Sequence, residues 1–176
     1  DQRLETLVSL GDRLVACQKS LTDYLDTKRN AFPRFFFISD DELLSVLGSS
    51  DPASIQVHML KLFDNVKTLE FSRNKKNVVG MQSAEGERYD LIETGAAIEG
   101  PVETWMTTVE QQMVISLRQI TKEGVYAYAH ENRNDWLKSK LGMVGLVGSQ
   151  IWWTWETEDV FRRVAKGNKY ALKDLE

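Results

Sequence analysis

The sequence predicts a mainly α-helical protein, an elongated bundle of antiparallel helices with one inserted β-hairpin. Three observations carry that prediction. Apolar residues recur at spacings of three and four through residues 4–29 and again from Val102 to Ile120, the stripe of a helix that lays one face on its neighbours. Two short β-prone runs, Val78–Ser83 and Arg88–Glu93, flank the polar turn "AEGE", the pattern of a hairpin with a loop longer than two residues. Pro33, Pro52 and Pro101 each stand where a helical pattern stops or starts, as expected of a residue that disrupts helix interiors but suits a first turn. The expected division is a helical part over residues 1–68, the hairpin over 69–98 and a second helical part over 99–176.

Composition narrows the function. With 42% hydrophobic and 27% charged residues among 176, the chain is globular rather than disordered. It is long enough to bury a core without a disulfide or metal staple. Lys plus Arg number 22 against 26 Asp plus Glu, a net charge of −4, which argues against a dedicated nucleic-acid surface. No apolar run approaches the roughly 20 residues that cross a bilayer. The opening "DQRLETL" is polar, unlike a signal peptide. It starts in a helix-like pattern without Met, so the chain is expected to be a piece of a larger protein. The single cysteine, Cys17, excludes an internal disulfide and fits a reducing compartment.

In chain order, the first helix carries Leu7, Leu10, Leu14, Cys17, Leu21 and Tyr24 as a seam toward other helices, and ends near Asn30 because Pro33 forces Phe32 out of helical geometry. Phe35, Phe36, Phe37 and Ile38 follow as a short apolar run, expected to be extended and covered on both faces. Ser39 with Glu42 three residues on is a capping box, and Asp40 and Asp41 suit the positive end of the helix dipole. A short helix should therefore run from Asp40 to Leu47 and close at Gly48. These capping roles outweigh a metal site at Asp40, Asp41 and Glu42, since metal sites need convergent ligands. Asp51 as cap and Pro52 at the first position open a third helix, lined by Ile55, Met59, Leu62, Phe63 and Val66.

After the hairpin, Val102, Trp105, Met106, Val109, Met113, Leu117 and Ile120 mark a helix, with Gly124 as a break and a further helical stretch from Val125. Another helix carries Trp136, and a last one runs from about Val144 to Ala165 with Ile151, Trp152 and Trp155 on or near its buried face. The glycines at 142, 145 and 148 lack the Gly-Lys-Ser/Thr of a phosphate loop, so close helix packing is the better reading. "WWTWE" reads as packing, with two indoles buried and one at the rim, rather than as a ligand box. His58 and His130 have no partner visible in the sequence, and no H-E-x-x-H, CxxC or G-x-S-x-G occurs. No residue is singled out as catalytic, cofactor-binding or metal-binding.

The order of motifs resembles the linker region of dynein heavy chains. Tyr24–Arg29 ("YLDTKR") is similar to that family's "YLETKR"-like stretch, Phe32–Phe37 ("FPRFFF") to its "FPRF" plus aromatics, and Asp40–Leu44 to its "DDELL". "HMLKLFDNVKTLEF", "MQSAEGERYDL" (Ser83, Glu85, Gly86 and Glu87), "VETWMTTVEQQM" and "SQIWWTWETEDVF" resemble later segments in the family's order. The front motif is long and specific; the later ones gain weight from their order, and together they span essentially the whole chain. "FFFISDDELL" looks closer to ciliary heavy chains than to the cytoplasmic form, which favours a tyrosine and a glycine after "FPRF".

The resemblance implies a mechanical arm that bends and straightens across a ring of ATPase modules and so drives movement along microtubules. Phe32, Pro33, Arg34, Phe35, Phe36 and Phe37 would be its structural joint, and Glu85, Gly86, Glu87 and Arg88 a contact with the ring. ATP and Mg would belong to the ring of the parent chain, since no "GxxxxGKT" occurs here, and other dynein chains and microtubules would be partners only through that parent. The expected location is the axoneme of a cilium or flagellum. A static helical scaffold that docks protein partners is the alternative, and an enzyme with an unseen site is a third reading.

Overall fold

A computed structural model describes residues 2–175. In chain order they form α1 (Gln2–Ala31), a 3-10 turn (Pro33–Phe37), α2 (Asp40–Gly48), a second 3-10 stretch (Pro52–His58), α3 (Met59–Leu62), β1 (Val66–Phe71), β2 (Asn77–Ser83), β3 (Arg88–Asp90), β4 (Ala96–Ala97), α4 (Val102–Tyr128), α5 (Arg133–Ser139), α6 (Gly142–Ala165) and a final 3-10 turn (Ala171–Leu175). The chain is mainly helical with a small antiparallel sheet. It divides into two compact units, residues 1–113 and 114–176, with the division inside α4.

In the first unit the predicted hairpin is the middle of something larger. β2 pairs with β1 on one edge, Leu69 opposite Met81, and on the other with both β3 and β4. The expected single hairpin is therefore corrected to a four-stranded antiparallel sheet. Val66, expected on a helix face, opens β1 instead, and "VKTLEF" has the β-branched and aromatic residues of a strand. The expected run Arg88–Glu93 stops at Asp90, turns through Glu93 and Gly95 at positive φ, and rejoins β2 as β4. Gly95 is required there: a Cβ would collide with the Val78 carbonyl oxygen. On its free side β1 is capped by Gln56, whose amide donates to Leu69 O at 2.6 Å and accepts from Leu69 N at 2.9 Å, standing in for a further strand at that residue.

One core joins these elements. Leu69, Val78, Met81 and Ala96 from the sheet pack with Phe32, Phe35, Leu43, Ile55, Met59, Leu62, Trp105, Met106 and Val109. The capping box of α2 is present as predicted: Ser39 Oγ accepts from Glu42 N and Glu42 returns the bond to Ser39 N. Asp51 caps as expected, accepting from Ala53 N, but Pro52 opens a 3-10 stretch, so the expected single helix is seven 3-10 residues followed by four α-helical ones. Of the residues expected to line it, Ile55, Met59, Leu62 and Phe63 are buried nonetheless, while Val66 is half-buried in β1.

Two expectations about apolar residues fail. The "FFF" run is a 3-10 turn rather than extended, and Phe35 is fully buried while Phe36 and Phe37 are 61% and 65% exposed. Three residues per turn spread consecutive side chains around the axis, so they cannot all face one core. The seam Leu7, Leu10, Leu14, Leu21 and Tyr24 is likewise exposed, as is Cys17; only Leu25 of α1 is buried.

The second unit is organised by Trp136, fully buried, whose indole N–H donates to Gly124 O at 2.7 Å. Tyr128 meets Trp136 edge-on and stacks on Trp152, with 5.1 Å between centroids in each case. Trp152 in turn donates to Val125 O at 2.8 Å. Gly148 permits this: a Cβ there would sit 2.8 Å from Trp136 Cζ2. Of the glycines of "GMVGLVG", Gly148 thus serves close packing, while a Cβ at Gly145 would make only an ordinary 3.4 Å contact with Leu137. Gly124 does not break the helix; α4 runs through it to Tyr128, and a Cβ at Gly124 would strike Val144. The expected burial in "WWTWE" is corrected: Trp152 is half-buried, and Trp153, Trp155 and Ile151 are exposed.

Unequal burial of the three phenylalanines gives a direct test. Phe35→Ala should cost roughly 3–5 kcal/mol, whereas Phe36→Ala and Phe37→Ala should each cost less than about 1 kcal/mol. Urea unfolding of the three variants checks this, and equal losses would contradict the turn geometry. A second test is pH. The Lys61 ammonium, and then the Ser39 N–H, hold the Glu42 carboxyl down at about 2, below its ordinary 4.5. A depressed carboxylate stabilises the fold above its unfolded pKa and loses that contribution as pH falls through the folded one. The melting temperature should therefore fall more steeply between about pH 4.5 and 2 in the parent chain than in Glu42→Gln, which keeps the capping bond without titrating.

Candidate functional site

The end of α1 and the turn after it carry three cations that the sequence sets close together, Lys28, Arg29 and Arg34. Lys28 Nζ donates to Glu103 Oε1 of α4 at 2.5 Å, and this bond to the carboxylate raises the lysine's pKa. Arg29 reaches Asp40 Oδ1 at 2.6 Å and Ile38 O at 3.3 Å, and so holds α1 to the start of α2. Arg34 donates through Nε to Glu110 Oε1 at 2.8 Å and through a terminal nitrogen to Leu62 O at 2.9 Å. Its guanidinium also lies 4.4 Å from the centroid of Phe63. A planar fork with five donors can serve a carboxylate, a carbonyl and a ring face at once; a lysine cannot.

Beneath these cations Phe32 and Phe35 meet edge to face, 4.9 Å between centroids, and Phe63 lies 6.4 Å from Phe32. Pro33 fixes φ at the first position of the 3-10 turn. That geometry turns Phe35 inward and leaves Phe36 outside, with Arg29 5.8 Å from its ring centroid. The six residues singled out in the sequence therefore split. Phe32 and Phe35 are core, Pro33 and Arg34 shape and fasten the turn, and Phe36 and Phe37 are surface.

The tip of the β2–β3 hairpin is exposed from Ala84 to Arg88. Ser83 organises it, accepting from Gly86 N through its carbonyl and from Glu87 N through its hydroxyl. Gly86 supplies the positive φ of the turn. The charges do not all project freely. Arg88 donates to Glu70 Oε1 at 2.6 Å and to Asp90 Oδ1 at 2.8 Å, which raises the guanidinium's pKa and, through the bond from Arg88, lowers that of Glu70. Glu85 accepts from the Asn65 amide at 2.7 Å, and this bond first of all lowers its carboxyl. Glu70 and Asn65 are more than fifteen residues from Arg88 and Glu85 in the chain, beyond what local sequence reading detects; Asp90 is only two from Arg88.

The other sequence candidates are accounted for by structure. Asp40 is held by Arg29, and Glu42 by Lys61 and Ser39. His58, read from sequence as having no acid partner, lies with Nδ1 3.6 Å from Glu42 Oε1 and is buried. Among the described residues no group of three or more His, Cys, Asp or Glu is placed to hold a metal ion.

Comparison with known proteins meets the same region. The family described as "Dynein heavy chain, N-terminal region 2" matches residues 1–124, which include the joint, the sheet and most of α4. The chain belongs to the dynein heavy-chain family. It is 60% identical over 175 residues to "Dynein-1-alpha heavy chain, flagellar inner arm I1 complex" of Chlamydomonas reinhardtii, across 99% of this chain and 4% of that protein. It is 52% identical over 176 residues to "Dynein axonemal heavy chain 10" of Homo sapiens, across 98% of this chain and 4% of that one. A more distant relative, "Dynein beta chain, ciliary" of Tripneustes gratilla, is 36% identical across 97% of this chain. The chain thus corresponds to an N-terminal-region segment of a dynein heavy chain, about 4% of the length of the relatives it matches.

The fork at Arg34 can be tested within this segment. Arg34→Lys keeps the charge but loses the simultaneous contacts to Glu110, Leu62 and Phe63, and should cost about 1–2 kcal/mol by urea unfolding. Arg88→Lys on the exposed sheet surface should leave the midpoint nearly unchanged. Equal effects would mean that the Arg34 contacts fasten nothing.

Proposed function

We propose that this segment is part of the linker of an axonemal dynein heavy chain, the mechanical arm that bends and straightens across the ATPase ring of the same chain. The observation that carries the reading is the joint. A 30-residue helix, α1, is fastened at its C-terminal end by Lys28–Glu103 and Arg29–Asp40, and the turn that follows it by Arg34–Glu110. The buried Phe32–Phe35 pair fills the space beneath. Packed interiors transmit strain rather than absorb it, which is what a force-bearing arm requires. The names of the relatives, from flagellar inner arms and ciliary or axonemal chains, support a place in the axoneme. ATP and Mg belong in this reading to the ring modules of the parent chain, and microtubules are engaged only through that parent.

Within this reading the hairpin tip touches the ring. Its exposed residues Glu85, Gly86, Glu87 and Arg88 present charge on a turn, a feature that selects a partner and sets register more than it adds affinity. The isolated segment should show no ATP turnover above a buffer blank. Replacing Glu85, Glu87 and Arg88 together with Gln should leave the segment's melting temperature almost unchanged, yet alter ATP-linked microtubule gliding when introduced into an intact heavy chain. Unchanged gliding speed would remove the tip contact. Nucleotide turnover by the segment, persisting through stringent purification, would overturn the assignment of a purely mechanical part.

A further inference from the structure

The Arg34 turn and the hairpin tip are held at the two ends of one short connection. Leu62 ends α3, Phe63 caps it, and Asp64 and Asn65 turn the chain into β1. At the first end, Arg34 donates to Leu62 O at 2.9 Å and lies over the Phe63 ring, and both residues are buried in the core of the first unit. At the other end, Asn65 takes a φ of 57°, a left-handed conformation open to asparagine and glycine more than to other residues. Its side-chain amide donates to Glu85 at 2.7 Å. The register brings the two together, because Val66, the next residue, stands opposite Ser83, the last of β2. The tip has little else to hold it. β3 pairs with β2 only over Arg88–Asp90, and so short a hairpin is marginal by itself.

We propose that Asn65 is a positioning residue that couples the hairpin tip to the Arg34 turn, so that the tip takes its place from the joint and not from its own short strands alone. Its functional meaning rests on the reading of the tip as the ring contact. The chemistry of the tie suits the task. An ionised carboxylate only accepts, and it makes a stronger bond with a donor than a neutral oxygen does. Asparagine brings that donor on a short side chain from a backbone fixed in a turn, so it has less freedom to lose than a lysine would. The tie skips the central strand: it runs from the tip to the lead-in of β1, and that lead-in is continuous with Phe63 and Leu62 in the core. Packed residues pass on a displacement that a loose loop would absorb. The pair is exposed, so it adds little to global stability. Its effect falls on local opening of the tip, which costs far less than unfolding the core.

Amide hydrogen exchange at Gly86 and Glu87, measured against the amides of β2, reads the tip, since both of its amides are bonded to Ser83. Asn65→Gly keeps the left-handed turn and removes only the side-chain donor. It should leave the melting temperature almost unchanged and speed tip exchange severalfold. The Glu85 carboxyl, lowered first of all by the Asn65 bond, should return toward its ordinary 4.5 by carboxyl NMR. Arg34→Lys should speed the same exchange in the parent chain and add nothing in Asn65→Gly, the non-additivity of two residues acting through one path. The inference is overturned if Asn65→Gly leaves tip exchange at the parent rate, or if Arg34→Lys acts equally with and without the Asn65 amide. Should Asn65→Gly fail to fold, Asn65→Asp decides by the same measurements, since it keeps the turn and sets a second carboxylate against Glu85. In an intact heavy chain Asn65→Gly should alter gliding speed as the triple substitution at the tip does. If the triple substitution alters gliding and Asn65→Gly does not, the positioning role falls and the contact stands. If the triple substitution leaves gliding unchanged while Asn65→Gly and Arg34→Lys still act together on exchange, the ring contact falls and the coupling stands.

Discussion

The edge-to-face contact of Phe32 with Phe35 is the constraint on which the first unit depends, because it fixes how the chain leaves α1. Pro33 stands between the two rings and denies the helix its next turn. The chain must bend there, and the bend is held only if both rings find a core. They find it in a cluster with Phe63, Leu62, Met59, Met106 and Val109 that also takes in Leu69, Val78 and Met81 from the sheet. Sheet and helices thus share a single interior with the joint inside it, so a disturbance of the turn has no soft layer in which to dissipate.

Electrostatics complete what packing begins. Lys28, Arg29 and Arg34 each take a carboxylate that is distant in sequence or on another element. Isolated surface pairs are worth little, but these differ from the pairs on α6, such as Arg162–Glu158, in what they join. A pair within one helix stiffens that helix; a pair between helices fixes an angle. Arg34 adds a carbonyl and a ring face to its carboxylate. Lys28–Glu103 is the most buried of the three.

The second unit solves its packing with indoles and missing side chains. Trp136 is too large to enter a helix pair unless the opposite helix removes atoms, and Gly148 does so. The indole N–H would then be stranded without an acceptor, and it takes the Gly124 carbonyl on a turn where Val144 also needs the space a Cβ would fill. Trp152 repeats the arrangement at Val125 O. Buried tryptophan is affordable only when its one donor is met, and both carbonyls come from the same stretch of α4.

What the sequence determined by itself was local. The capping box Ser39–Glu42, the cap at Asp51, the stop before Pro33 and the helical stripes each rest on residues within a few positions of one another, and each stands in the fold. So does the family, because a run such as "YLDTKRNAFPRFFFISDDELL" carries its order with it. What tertiary structure decided was everything set by distance and by face. β1 and β4 pair on the two edges that β2 offers them, and β4, two alanines long, has no strand pattern of its own. Phe36 and Phe37 were expected inside on hydrophobicity alone, but a 3-10 turn can send only one of three adjacent rings to a given core. The stripe on α1 signals a face without saying whether the described residues cover it, and they do not. The partners of Arg34 and Glu103, and Glu70 beside Arg88, lie on other elements, since ion pairs form wherever the chain happens to return, and a linear sequence does not record where that is.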